Sequence, residues 1–181
     1  MYKIAIYGGA FNPPHAGHAN VIIEASKQAE SVLVVPSFKH PFGKVMMDYD
    51  LRLQWLHRIT DRVRMHCEAE VSASDIERDL ALKSDGPVFS YNLLSYASEL
   101  YGVEPKQIAL VVGNDVAEAL PSFYLGPQLI EKFSIVTIPE QVGVRSTLMR
   151  QNLESGQGIP PHWMAPGLDP VDYKIYAPEV A

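Results

Sequence analysis

Residues 3–36, KIAIYGGAFNPPHAGHANVIIEASKQAESVLVVP, decide the fold. Lys3 to Tyr7 is a short apolar run that stops at Gly8-Gly9. From about Gly17 the spacing changes, and Val21, Ile22, Ala25 and Ala29 recur at intervals that put them on one face of a helix. Ser31 to Pro36 is then nearly all apolar, as a strand covered on both faces is. Strand, helix and strand in succession predict a βαβ unit around a parallel sheet.

The alternation continues outward from that unit. After a Pro, Lys and Gly-rich loop (SFKHPFGK, 37–44), Asp48 can N-cap a helix carrying Leu51, Leu53, Trp55, Leu56 and Ile59. Arg62 to His66 fits either a last helical turn or a short strand, and Glu70 to Ser74 reads as a strand leading into Asp75-Ile76-Glu77. Ser90 or Asn92 is expected to cap a helix with Leu93, Leu94, Ala97 and Leu100 inward, ended by a left-handed Gly102. Ile108 to Val112 is a strand closed by Gly113-Asn114-Asp115, and Ser134 to Ile138 is another. Ser146 to Glu154 suits a helix stopped by Gly156. The expected architecture is α/β: one Rossmann-like, doubly wound, mainly parallel sheet with flanking helices over residues 1–181. Residues 156–181 are expected to be an irregular Pro-rich tail, packed on the domain because Ile159, Trp163 and Met164 are too apolar to be free.

Composition narrows the function. The chain has 181 residues, enough for one domain with a real core. Its net charge of -6, from 15 Lys+Arg against 21 Asp+Glu, argues against a protein that coats nucleic acid, which requires many neutralised phosphates. A small anionic ligand at one local site stays open. Cys67 is the lone cysteine, the N-terminus lacks a signal-peptide pattern, and no apolar run approaches the ~18 residues of a membrane span. The expectation is a cytoplasmic protein with no membrane partner; a homo-oligomer stays open.

Ligands of open parallel sheets bind beyond the carboxyl ends of the strands. Gly8 to His18 (GGAFNPPHAGH) has that position. Its glycines allow close backbone approach, Pro13-Pro14 stiffens it, and His15 and His18 sit at a helix start that favours an anion such as phosphate. Neither the dinucleotide pattern G-x-G-x-x-G nor a P-loop is present. Two histidines alone do not make a zinc site, and no metal ligands are assigned.

GGAFNPPHAGH resembles the G-G-[T/S]-F-[D/N]-P-x-H-x-G-H signature of the nucleotidyltransferase superfamily, and Val144 to Arg150 (VRSTLMR) resembles its I-S-S-T-x-I-R motif. Val88 to Leu94 (VFSYNLL) and Gly113 to Phe123 (GNDVAEALPSF) resemble segments of bacterial nicotinate-mononucleotide adenylyltransferases; Val171, Tyr173 and Tyr176 resemble that family's C-terminal ending faintly. The resemblance implies the nucleotidyltransferase fold. It also implies direct attack by the 5′-phosphate of nicotinate or nicotinamide mononucleotide on the α-phosphorus of ATP, without a covalent enzyme intermediate. His15 and His18 would donate to phosphates, and Ser146, Thr147 and Arg150 would hold the β- and γ-phosphates. Gly8, Gly9, Ala10, Phe11, Gly113, Asp115 and Arg145 would line the ATP side. Asn12, Phe89, Ser90, Tyr91 and Phe123 would line the mononucleotide side. Mg²⁺ would be held mainly by phosphates and water.

The chain departs from the family pattern at Ala10 (usually a hydroxyl residue), Arg145 (Ser), Ser90 and Asn92 (Thr and Asp), Phe123 (Trp) and the short stretch 139–144. Lys44 is read as reaching a phosphate and joins the catalytic set. Arg52, Lys39 and His40 are weaker phosphate candidates, surface being the commoner place for such residues. Asp75 and Glu77 can orient a basic residue or stay solvated. Phe123 can also be core, while Trp55, Met65 and Cys67 are read as structural. Rival readings are a pantetheine-phosphate adenylyltransferase, a cytidylyltransferase, and a catalytically weak nucleotide-binding regulator.

Overall fold

The computed structural model describes residues 1–39 and 45–179. In chain order the elements are β1 (Tyr2–Gly9), α1 (Ala16–Ser26), β2 (Ala29–Pro36), α2 (Tyr49–Val63), β3 (Glu70–Ala73), α3 (Ile76–Lys83) and α4 (Ser90–Tyr101). They continue with β4 (Ile108–Val112), α5 (Asn114–Ala119), α6 (Gly126–Lys132), β5 (Ser134–Thr137), α7 (Ser146–Glu154) and α8 (Pro170–Tyr173). The five strands form one all-parallel sheet in the order β3-β2-β1-β4-β5. Winding therefore reverses between β1 and β4, which opens a crevice at their carboxyl ends.

Alternation along each strand builds two cores. Ala5, Val32, Val34, Ala109 and Val111 face a cluster with α1, α2, α7 and the tail. Ile4, Ile6, Val35, Ile108, Leu110 and Val112 face the other, with α4 and α6. All five residues of β4 are buried, which is why its sequence is uninterrupted Ile-Ala-Leu-Val-Val.

Several expectations are sharpened. Arg62 to His66 is helical, α2 running to Val63 and a 3₁₀ turn covering Arg64–His66. Asp48 does cap α2, its side chain accepting from the Leu51 N–H. Neither Ser90 nor Asn92 is the cap of α4; Phe89 holds that position with no side-chain cap bond. Gly102 does end α4 in the left-handed region. Asp75-Ile76-Glu77 opens a helix that the strand-like reading of its neighbours obscured. Helices α5 and α6 were not foreseen either. Gly126-Pro127 reads as a breaker, yet proline fits a first helical turn, and a Cβ on Gly126 would lie 2.0 Å from the Leu120 carbonyl oxygen.

Residues 156–179 are not wholly irregular. Turns of 3₁₀ helix at Pro161–Trp163 and Lys174–Tyr176 flank α8, and Arg58 of α2 forks onto Asp172 at 2.7 and 2.9 Å. Among the described residues no helix is long and apolar enough to cross a membrane.

Candidate active site

A cleft of about 1050 Å³ opens where the winding reverses. The first residues of α1, α4, α5 and α7 all line it: Gly17 and His18, Ser90, Asn114 and Asp115, and Ser146 and Thr147. Helices α4, α5 and α7 have no side-chain cap bond. Their first-turn N–H groups are left as donors facing the cleft, each helix adding the positive end of its dipole. Donors held this way suit an anion with several oxygens.

The loop from Ala10 to Pro14 is turned by side chains behind it. Its carbonyl oxygens accept from four directions: Ala10 from Arg52 of α2, at 2.9 Å; Asn12 from Arg150 of α7, at 2.5 Å; Pro13 from Ser146, at 2.8 Å; and Pro14 from Tyr173 of α8, at 2.9 Å. Drawing carbonyl oxygens away from the cleft removes partial negative charge from an anion site.

This changes several assigned roles. Asn12 is 4% exposed, with Oδ1 accepting from the Met47 N–H and the Tyr176 hydroxyl, so it locks the loop instead of lining the cleft. Phe11 is 2% exposed at φ 49°, edge-on to Tyr7 and to the His18 ring, and it is a strut behind the histidine. Arg150 stands behind Thr147, donating to its hydroxyl at 3.3 Å, and is not on the cleft wall. Arg52 is 1% exposed and gives its Nε–H and one Nη–H to the Met47 and Ala10 carbonyls, so it turns the loop from behind and does not line the cleft as a phosphate ligand would. Met65 is largely exposed. Lys44 and His40 lie outside the described residues.

His15 and His18 both line the cleft and are held by backbone N–H groups. The His15 Nδ1 accepts from the Gly17 N–H, and the His18 Nδ1 accepts from the His15 N–H, both at 3.0 Å. The two rings stack with centroids 3.8 Å apart. Burial, with Arg145 nearby, lowers His15 to about 4. Burial, with His15 beside it, holds His18 well below the ordinary range. Both are neutral at pH 7. Because each Nδ1 is an acceptor, each proton sits on Nε2, making a neutral, oriented donor. The histidines are thus hydrogen-bond donors and not the cations that a purely electrostatic reading of the acidic chain would want.

Gly8, Gly9, Ala10, Gly113, Phe89, Ser90 and Phe123 also line the cleft. Phe123 is half-buried and packs on the second core as well, so both of its readings have structural content. Tyr91 does not line the cleft; its ring meets Phe133 edge-on. Among the cleft residues outside the expected site set is an aromatic one. Tyr124 is exposed and lies against the Phe89 ring, with centroids 4.7 Å apart; an aromatic directly after Phe123 was the available signal.

The Arg145 guanidinium reaches Glu140 at 3.1 Å and Asp115 at 3.7 Å across an exposed rim. Exposed pairs of this kind contribute about 0–1 kcal/mol, so an incoming anion can recruit Arg145 at little cost. Among the described residues no three His, Cys, Asp or Glu side chains form a metal cage.

Glu77 is 7% exposed, and its Oε2 accepts from the Phe38 N–H. Burial raises it to about 7 despite that bond and Arg52 nearby. A carboxyl raised on folding stabilises the fold fully below its unfolded value of 4.5 and loses that contribution as pH rises through about 7. Glu77→Gln keeps an acceptor for Phe38 but cannot ionise. It is expected to gain on the order of 3 kcal/mol over the parent between pH 5 and pH 8. Parallel thermal melts across that range check this; equal slopes for the two proteins would refute it.

The chain matches the cytidylyltransferase-like family over residues 6–152. A protein of Thermotoga sp. (strain RQ2), named a nicotinate-nucleotide adenylyltransferase, is 27% identical over 143 residues, covering 78% of this chain and 67% of that one. A Vibrio parahaemolyticus structure described by the same activity superposes with TM-score 0.74 at 29% identity, covering 97% of this chain and 99% of the other. The Plasmodium falciparum nicotinic acid mononucleotide adenylyltransferase complexed with NaAD superposes with the same TM-score at 18% identity, and shares the fold.

Proposed function

The chain belongs to the cytidylyltransferase-like family of nucleotidyltransferases, and from that premise we propose that it transfers AMP from ATP to nicotinate mononucleotide, releasing pyrophosphate. The observation that carries the reading is the pair of imidazoles, His15 and His18, whose Nδ1 atoms accept from backbone N–H groups and leave Nε2 to donate, set among uncapped helix starts in a cleft large enough for two nucleotides. The Vibrio and Thermotoga likenesses support the choice of acceptor.

In this reading the 5′-phosphate oxygen of the mononucleotide forms the new bond to the α-phosphorus, and the bond to the bridging oxygen of the leaving pyrophosphate breaks in line. No group on the protein need bond to phosphorus, so catalysis is positioning and charge stabilisation. His18 and His15 donate to phosphate oxygens. The N–H groups at the start of α7, with Thr147 and Arg145, receive the β- and γ-phosphates, and Gly113 and Asp115 adjoin the adenosine. Phe89 and Phe123, with Tyr124, offer aromatic faces to the pyridine ring. Mg²⁺ would neutralise triphosphate charge. The donor set suits an ion held chiefly by phosphates and water, with Asp115 and Glu140 able to accept from its water ligands.

Pyrophosphate release with ATP, Mg²⁺ and each acceptor in turn tests the reading. Turnover with nicotinate mononucleotide is the expected result. Turnover only with a pantetheine phosphate, only with CTP as donor, or ATP binding with no turnover would each replace it.

A further inference from the structure

The family match ends at residue 152, yet α8, beyond it, is bonded to the catalytic loop. Tyr173 is 2% exposed. Its hydroxyl accepts from the Ala165 N–H at 2.9 Å, which leaves its own proton to donate to the Pro14 carbonyl oxygen, also at 2.9 Å. That carbonyl belongs to the same peptide unit as the His15 N–H, and the His15 N–H is what the His18 Nδ1 accepts. The unit is trans and planar, so holding its oxygen fixes the direction of its N–H.

We propose that Tyr173 is a positioning residue for His18: through the Pro14–His15 peptide it fixes the tautomer and orientation of an imidazole it does not touch. The chain of bonds runs Ala165 N–H, Tyr173 O–H, Pro14 C=O, His15 N–H, His18 Nδ1, leaving the His18 proton on Nε2. Each bond polarises the next in the same direction. Tyr173 stays a donor throughout the working range, since burial pushes its hydroxyl up to about 12. The neighbouring Tyr176 bonds the Asn12 side chain and not this peptide, and the Arg58–Asp172 fork anchors α8 without reaching the loop. The segment after the family match thus carries both an anchor and a relay.

The part of the proposal that concerns catalysis rests on the function read above; the part that concerns His18 does not. The test is therefore ring ¹⁵N NMR of His18 in the ligand-free protein, together with steady-state kinetics. In the parent protein His18 is expected as a single Nε2–H tautomer. Tyr173→Phe keeps the ring and removes the relay. It is expected to mix the tautomers and to lower kcat about 10-fold with the ATP KM within twofold. Arg58→Ala is the control for anchoring and should lower Tm while leaving the His18 spectrum as it was. If Tyr173→Phe does not fold, 3-fluorotyrosine at 173 keeps the hydroxyl and strengthens its donation, and should shift the His15 amide and His18 Nδ1 resonances. An unchanged His18 spectrum in the folded Phe variant, or unmoved resonances with the fluorinated residue, would overturn the proposal. A changed spectrum with no turnover on any acceptor would overturn the function and leave the relay standing.

Discussion

Replacing His18 with alanine is expected to lower kcat by about 10²–10³-fold, the usual cost of removing one preorganised donor from a site that stabilises developing charge. The ring is packed edge-on against Phe11 and stacked on His15, so its Nε2–H is fixed before any ligand arrives and needs no reorganisation. The loss should fall on kcat, with KM for ATP changed much less, because the uncapped starts of α5 and α7 remain to hold the nucleotide. The pH profile provides an independent check. His15 is lowered to about 4 and His18 lies well below its ordinary range, so neither changes charge as the solution passes through 6.5. Neither imidazole should therefore contribute an inflection to kcat near that pH, and an inflection that Glu77→Gln removes belongs to the cleft carboxyl instead. Full activity in His18→Ala would remove this residue from the reaction.

The fold was legible from residues 3–36 because hydrophobic period alone separates a strand from a helix there, and β2 and β4 are as apolar as doubly covered strands must be. Short helices were not legible. Six residues of α5 and seven of α6 are too few turns for a period to emerge, and a Gly-Pro start looks like a break. In the site, motifs identified which residues gather but not which way they face. Asn12, Arg150 and Ser146 were expected to hold ligand, yet they have donors or acceptors spent on turning the loop. Nothing in a linear pattern says whether a polar group meets ligand or backbone, since that depends on partners 133 to 164 residues away. The burial of Glu77 was hidden for the same reason. An acidic residue in a first helical turn is usually solvated, and only the packing of β2, α2 and α3 buries this one.

Gly17→Ala should separate positioning from stability. A Cβ at this position would lie 2.8 Å from Cε1 and 2.9 Å from Nδ1 of His15, closer than real contacts allow. The imidazole must turn, and it has little room: it is 6% exposed and stacked on His18. Turning it also breaks the N-cap bond that the Gly17 N–H gives its Nδ1. Losing a cap costs about 1 kcal/mol, while alanine in place of glycine in a helix returns up to ~1 kcal/mol. The two effects offset, so Tm should move by only a few degrees. Activity should not be spared, because misplacing positioned groups by about 1 Å costs roughly 10² in rate. The expected result is a folded protein with both histidines present and kcat down about 100-fold. Gly143→Ala, where a Cβ would meet nothing within 4 Å, is the matched control and should keep its rate. Parent-like kcat in Gly17→Ala would mean that the stacked geometry of the two rings does not set the reaction.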